Sequence, residues 1–333
     1  MVMKTRSLGY TDLELTPIGL GTWAMGGPWE YGWGSADDDQ GIRTVLAALE
    51  TGINWIDTAP IYGLGHSEEL IGQALKQTSL KPLIVDKCGL VWDQDGREVN
   101  CLTSKSVRKQ CCQSLKSLGV EVIDLYLMHW PKPEEDIEQG WEEMVRLKEE
   151  GKVRYIGVSN FDVAQIERVR KLHPVAALQS RYNMLIRTIE DKLLGYCSEN
   201  DIGVMAWSPM ERGLLTGKFS YQRMKDLPAD DHRKEGPDFQ EPKLGATLEL
   251  VEGLREIAER DGQTCARLAV SWVLRRKEIT GAIVGARRPE QITETAGAGE
   301  WDLSSEDLAS IEQLLIRRDK EIEAKSLGKT NSN

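Results

Sequence analysis

The chain has 333 residues with 42 basic and 53 acidic side chains, and a net charge of −11 that disfavours nucleic-acid and anionic-membrane partners. An apolar share of 40% lets a chain of this length bury a large core, whereas no stretch approaches the ~20 apolar residues of a membrane span. Cys88, Cys101, Cys111, Cys112, Cys197 and Cys265 lack CxxC or Cys/His ligand spacing, so buried thiols are expected and no metal site. Met1-Val2-Met3-Lys4 runs into a polar turn and not a signal-peptide core, so a cytoplasmic location is expected.

Residues 1–16 read as a β-hairpin cap turning at Gly9-Tyr10-Thr11-Asp12. An alternation of short apolar runs and amphipathic stretches follows. Strands are expected at 18–21, 54–57, 83–87, 123–128, 153–158, 176–179, 203–207 and 282–285. Helices are expected at 37–52, 66–77, 103–119, 137–150, 162–171, 189–200, 247–260, 264–276 and 289–296. Asp37, Asp38 and Asp39 suit a first helical turn, and Gly119 and Gly151 stand where helices end. Eight strands, each followed by helical sequence, predict an α/β protein: one (β/α)₈ TIM barrel spanning 1–333, with an N-terminal hairpin cap and extra C-terminal helices. Residues 218–245 carry Pro228, Pro237 and Pro242 without a clear period and read as a long loop, either a lid or partly disordered. A last helix is expected to end near Glu323, with 324–333 a disordered tail.

Asp57, Tyr62, Lys87 and His129 each follow one of the apolar runs, at the strand ends where a barrel carries its active site. A tyrosine beside a lysine ammonium is the informative pairing, because a phenol is a poor acid–base catalyst at neutral pH until a cation favours its ionised form. Asp57 would keep Lys87 charged and placed, and a neutral His129 would donate to a carbonyl oxygen. Gly19-Leu20-Gly21-Thr22-Trp23-Ala24 fits a dinucleotide-binding fingerprint, but A-M-G-G-P-W-E-Y-G-W-G follows and cannot supply the helix that fingerprint needs. Trp23, Trp29, Trp33, Trp92 and Trp130 lie in loops at strand ends, where an aromatic wall for a substrate is expected, whereas Trp55, Trp141 and Trp272 read as core. In barrels the loops after strands seven and eight commonly bind phosphate. Here these are Ser208 to Lys218 and Gly285 to Gln291, with Arg287 or Arg288 able to fork onto a phosphate.

From about residue 5 to about residue 315 the chain resembles the aldo-keto reductase family. The resemblance rests on G-L-G-T-W, G-I-N-W-I-D-T-A-P-I-Y-G with S-E-E-L-I-G, the strand-ending Lys87, D-L-Y-L-M-H-W-P, G-K-V-R-Y-I-G-V-S-N-F, S-P-M-E-R-G-L-L-T-G-K and I-V-G-A-R-R-P-E-Q-I-T-E-T; G-T-W-A is similar to the bacterial and plant branch. It implies that Tyr62 is the general acid in carbonyl reduction, Lys87 and Asp57 its ion-paired tuners, and His129 the group that orients the carbonyl. It also implies that Ser159, Asn160 and Gln179 hold a nicotinamide carboxamide; a bland alternative has Ser159-Asn160 capping the helix that begins near Asp162. Trp207 stands where the family has a stacking tyrosine or phenylalanine. The implied cofactor track continues through Gly21, Thr22, Trp23, Ser208, Pro209, Gly213, Leu214, Gly217, Lys218, Gly285, Ala286, Arg287, Gln291 and Glu294. Thr295 departs from the asparagine that often follows the family's glutamate and weakens the adenine contact.

The expected function is hydride transfer between NADP(H) and a small carbonyl or alcohol, with NAD(H) left open and aldehydes, ketones, aldoses and polyols all admitted. A regulatory subunit that senses its cofactor for a partner protein is the alternative. A barrel hydrolase or isomerase using Asp57 and His129 is disfavoured because no metal ligands or second catalytic carboxylate accompany them. Oligomeric state is not legible in the sequence.

Overall fold

The fold begins with a plug. In this computed structural model, which describes residues 3–330, β1 (Arg6–Ser7) and β2 (Glu14–Leu15) pair antiparallel. Their turn carries Leu8 and Leu13 into one cluster with Leu15, Trp55, Val85, Leu125, Ala177 and Met205. The hairpin thus closes the amino-terminal end of the barrel with side chains. Gly9 permits this approach, since it sits at φ +53 and a Cβ there would stand 2.4 Å from the Asp201 carbonyl oxygen.

The barrel strands are β3 (Ile18–Gly21), β4 (Trp55–Asp57) and β5 (Leu83–Cys88), followed after an inserted hairpin by five more. The hairpin pairs β6 (Leu90–Trp92) with β7 (Glu98–Asn100). The remaining strands are β8 (Ile123–Met128), β9 (Val153–Ser159), β10 (Ala177–Arg181), β11 (Gly203–Trp207) and β12 (Ile279–Gly285). All eight barrel strands pair in parallel in chain order, and β12 returns to β3 to close the ring. Their side chains alternate between the barrel interior and the helix layer. Trp55 and Asp57, Val85 and Lys87, Ala177 and Gln179, and Met205 and Trp207 are therefore same-face pairs, apolar below and functional above. Trp55 is fully buried and fills the lower barrel, where a Cβ on Gly19 would meet its ring at 2.2 Å.

The outer layer consists of α1 (Asp38–Glu50), α2 (His66–Leu75), α3 (Ser104–Leu118), α4 (Ile137–Glu149), α5 (Val163–Arg170) and α6 (Leu193–Glu199). Beyond these come α7 (Tyr221–Lys225), α8 (Lys243–Arg260), α9 (Cys265–Leu274), α10 (Pro289–Ala296) and α11 (Ser305–Thr330). Their ends follow local chemistry. Asp37 caps α1 through Gln40 N, Asp162 and Gln165 form a capping box on α5, and Gly119 ends α3 at φ +68. None of the described helices is long and apolar enough to cross a membrane.

Three expectations need correction. The 218–245 segment is not structureless: it holds α7, turns at His232–Glu235 and Pro237–Phe239, and the start of α8. It has its own apolar centre of Leu214, Phe219, Leu227, Phe239 and Leu244. The expected disordered tail of 324–333 is helical as far as Thr330, because α11 packs along α8 and its side chains keep helical pairing such as Lys325 with Glu321; residues 331–333 lie outside the described residues. Residues 90–100 form a β-hairpin that the strand pattern did not reveal.

Because Leu8 is fully buried against Gly203 at the end opposite the functional residues, Leu8→Ala is expected to lower unfolding free energy by about 2–5 kcal/mol. Urea denaturation measures the loss, and cofactor affinity measured in the same buffer is expected to stay at the wild-type value.

Candidate active site

At the carboxyl ends of the strands a cavity of about 550 Å³ opens, within the range of small-molecule and cofactor sites. The backbone geometry that places its key groups is short-range. Asp57 ends β4, Tyr62 lies five residues on, and Lys87 sits near the end of β5 on the interior face. His129 directly follows β8 and its backbone N–H donates to Cys88 O at 2.8 Å, so the ends of β5 and β8 are tied together.

Lys87 is fully buried, and its Nζ donates to Asp57 Oδ1 at 2.7 Å and to Thr58 O at 2.8 Å. The third ammonium hydrogen is left for the Tyr62 side, where Nζ lies 5.1 Å from the ring centroid. Gln179 Nε2 donates to the other Asp57 oxygen at 2.6 Å, so this carboxylate has a partner on each oxygen. The Tyr62 and His129 rings meet edge to face at 5.9 Å. Burial pushes Tyr62 up to about 12, with Lys87 pulling the other way. The expected net lowering of the phenol is therefore reversed: the cation limits the rise but does not overcome loss of water. Burial works against the Lys87 charge, but Asp57 and Tyr62 outweigh it and hold the ammonium above its ordinary range. Burial, helped by Lys87, holds His129 well below the usual imidazole value, so its ring is neutral at pH 7. A protonated phenol, a fixed ammonium behind it and a neutral imidazole beside it can together donate to and polarise one oxygen atom.

Ser159 and Asn160 at the end of β9 and Gln179 on β10 come together in the cavity wall. Asn160 Nδ2 donates to His129 O and Ser159 Oγ, both at 3.0 Å, and its Oδ1 accepts from Trp207 Nε1 at 3.1 Å. The Asn160 amide is thus committed to ordering its neighbours. The hydroxyl hydrogen of Ser159 and the Oε1 of Gln179 remain as one donor and one acceptor, the pair a carboxamide needs. The capping alternative for Ser159-Asn160 does not hold, since Asp162 caps α5 itself. Trp207 lines the cavity, while the Arg181 guanidinium lies 5.7 Å from its ring centroid. Arg181 is anchored by the fully buried Glu211 at 2.5 Å and by Asp238 at 3.1 Å. These observations fit a flat aromatic ligand bearing an amide.

The cavity runs on past Gly21, Ser208, Pro209 and Gly213 to Lys218, Gly285, Ala286, Gln291 and Glu294, as expected. Lys218 and Glu294 pair at 2.6 Å, which neutralises the lysine but leaves Glu294 Oε1 buried and unpartnered. Arg287 lines the cavity too, with its guanidinium donating to Trp33 O at 3.2 Å and to Ser35 O. Arg288 and Arg223, both in the wall, make no ion pair with any described acid. Trp23, Trp29, Trp33 and Trp130 all line the cavity.

Five expected residues do not line it: Lys87, fully buried and paired with Asp57, and four others. Trp92 is 40% exposed on the β6–β7 hairpin and turned away. Leu214 is buried in the apolar centre of the 218–245 segment, and Gly217 backs onto Cys265. Thr22 is sealed below the cavity, where its Oγ1 donates to Asp57 O at 3.1 Å and accepts from Ser67 Oγ at 2.8 Å. The sequence reading missed Arg212, Arg223 and Arg233, the first in S-P-M-E-R-G and the others in the 218–245 segment. Three arginines within 22 residues were a visible signal, but only the fold turns them toward one space. The same segment roofs the cavity: His232 stacks on Trp23 at 4.9 Å and donates from Nδ1 to Gly32 O at 2.9 Å.

Comparison with known proteins places this geometry in context. The chain is 37% identical over 316 residues to the aldo-keto reductase YhdN of Bacillus subtilis (strain 168), covering 94% of each chain. It is 34% identical to the NADH-specific methylglyoxal reductase of Escherichia coli (strain K12), covering 94% of this chain and 98% of that one. Among solved structures it is similar to a glycerol dehydrogenase from Gluconobacter oxydans, with a TM-score of 0.86, 37% identity, and 96% and 97% of the two chains covered. The Aldo/keto reductase family model matches residues 17–316, and with the barrel and its strand-end residues in place the chain belongs to that family of oxidoreductases.

Proposed function

We propose that the protein interconverts a small carbonyl compound and its alcohol with NADP(H), Tyr62 acting as the general acid in reduction and the general base in oxidation. The observation that carries this reading is the Tyr62–Lys87–Asp57 arrangement: a half-buried phenol facing the cavity with a single ammonium behind it, itself fixed by a carboxylate at 2.7 Å. The bound cofactor supplies or accepts the hydride. The rest falls to the chain's own side chains. Tyr62 Oη–H and the neutral His129 converge on the substrate oxygen, and as negative charge develops there Tyr62 releases its proton to it. Lys87 then stabilises the phenolate left behind, and Asp57 keeps Lys87 from turning away. Trp23, Trp29 and Trp130 exclude water from the reacting carbon and hold it close to the nicotinamide end of the site.

For the cofactor's identity, Arg288 and Arg223 favour a 2′-phosphate. Neither has an acid partner, and burial together with neighbouring arginines depresses Arg223 below its ordinary range. A dianion placed between them relieves that repulsion through charge-assisted bonds, roughly twice as strong as neutral ones. Arg287, engaged by two backbone carbonyls, shapes the loop instead. The relative from Escherichia coli is NADH-specific by name, which makes the cofactor test the first to perform.

Tyr62→Phe is expected to reduce kcat for carbonyl reduction by ~10²–10⁴-fold with cofactor affinity unchanged; steady-state assays against aldehydes, ketones and aldoses measure it, and a loss below tenfold refutes the assignment. With the phenol held up at about 12, alcohol oxidation is expected to accelerate with rising pH across the stable range while reduction stays level, read from initial rates in both directions. Arg288→Ala is expected to weaken NADPH at least tenfold more than NADH, with Arg287→Ala less discriminating. Fluorescence titration of both cofactors decides this, and equal wild-type affinities would sink the NADP(H) reading.

A further inference from the structure

Behind Lys87, on the helix side of β5, lies a buried polar cluster that the proposed chemistry does not use. Because side chains alternate along a strand, Lys87 points into the barrel and Asp86 points out of it, toward α2 and α3. There Asp86 comes within hydrogen-bonding reach of Glu68 from α2, and both lie against Ser114 from α3. Asp86 and Ser114 are fully buried and Glu68 is 1% exposed.

Taken as two carboxylates the cluster does not balance. Asp86 Oδ1 accepts from Lys87 N at 2.8 Å, but Asp86 Oδ2, Glu68 Oε1 and Ser114 Oγ have no partner. Tyr126 Oη, fully buried on β8, is likewise unpartnered. The surroundings offer no counter-charge. Glu69 follows Glu68 on α2, Cys88 on β5 and Cys111 on α3 are thiols that burial pushes well up, and burial likewise keeps the Tyr126 phenol neutral. The nearest cation is Lys87, whose Nζ is spent on Asp57 and Thr58 across the strand. Carboxylates are acceptors only, so two of them can join only if one carries a proton.

We propose that Glu68 and Asp86 form a one-proton carboxyl pair behind Lys87, and that its single negative charge is a positioning element for the Lys87–Tyr62 couple. The charge is placed on Asp86, whose Oδ1 accepts the Lys87 backbone N–H at 2.8 Å and which feels the Lys87 charge, and the proton on Glu68, which burial and the neighbouring Asp86 push up. Burial is the largest influence on Lys87 and Tyr62, and the Asp86 charge adds to what holds both in their protonated forms. Asp86 thus acts through Lys87 and Tyr62 without touching substrate. The functional half of this inference rests on Tyr62 being the acid; the proton sharing does not.

The two halves separate in one set of measurements on the full-length protein. Infrared difference spectroscopy of wild type at pH 8 is expected to show a protonated carboxylic-acid band that Glu68→Gln abolishes, since the amide donates to Asp86 and no proton is needed. The absence of that band from wild type overturns the pair, whatever Tyr62 does. Folding binds the Glu68 proton because its folded value lies above the ordinary carboxylate range. Wild-type stability therefore falls as pH rises toward about 9, and Glu68→Gln is expected to flatten that fall in thermal unfolding.

In pH profiles of kcat/KM, Glu68→Gln keeps the charge and is expected to match wild type. The Glu68→Gln/Asp86→Asn double variant loses it, lowers the pH at which Tyr62 ionises, and raises alcohol oxidation at fixed pH by about three- to tenfold. An unshifted profile in the folded double variant overturns the positioning role. If that variant does not fold, the wild-type profile decides instead: it is expected to change near pH 6, where Asp86 takes a second proton, and a flat profile there overturns the role equally.

Discussion

The ion pair between Lys87 and Asp57 is the constraint around which the mouth of the barrel is built. Both groups are buried, and neither could stay charged in so apolar a place without the other and the further bonds from Thr58 O and Gln179. A buried pair of this kind contributes little to net stability, since desolvation offsets most of the attraction. Its value here is geometric. It joins β4 to β5, reaches β10 through Gln179, and leaves one ammonium hydrogen directed at Tyr62. Removing one partner would strand the other charge in the interior.

Around that pair the molecule is organised in layers. The plug of Leu8, Leu13 and Leu15 and the buried Trp55 hold the lower barrel, and the helices hold its outside. At the upper rim Asn160 ties His129, Ser159 and Trp207 together, and Glu211 gathers Arg181, Arg212 and Asn183. The 218–245 segment is joined to this rim by polar and aromatic contacts, with Asp238 on Arg181 and Arg212 and His232 on Trp23. Its apolar centre of Phe219, Leu227 and Phe239 also packs on Leu214 from the loop after β11 and on Leu244 of α8, so apolar packing and polar contacts fix it together.

Electrostatics at the site follows depth more than pairing. Lys87 opposes the rise of Tyr62, yet loss of water is the larger influence and the phenol keeps its proton at neutral pH. His129 is neutral for the same reason. The resting site therefore presents donors to the cavity, which is what the proposed role of Tyr62 as acid requires.

Much of this was legible in the chain itself. Short β-branched runs between amphipathic stretches specify parallel strands wrapped by helices, because only strands buried on both faces tolerate near-continuous apolar sequence. Residues that end such runs must face the carboxyl rim, so Asp57, Tyr62, Lys87 and His129 could be grouped before any coordinate was known. Local chemistry likewise marks helix ends, with the Asp37–Asp39 run at the start of α1 and Gly119 at the end of α3, whereas the cap of α5 proved to be Asp162 and not Ser159-Asn160. Tertiary structure alone decided what depends on contacts between distant segments: that Arg287 is held by the 33–35 loop while Arg288 is free, that Trp92 points away while Arg223 and Arg233 point in, and that Glu68 meets Asp86. Periodicity reports which face of an element is buried but not which partner it is buried against, and charge in a sequence carries no record of the solvent it will lose. Those two quantities, partner and depth, exist only once the barrel has closed.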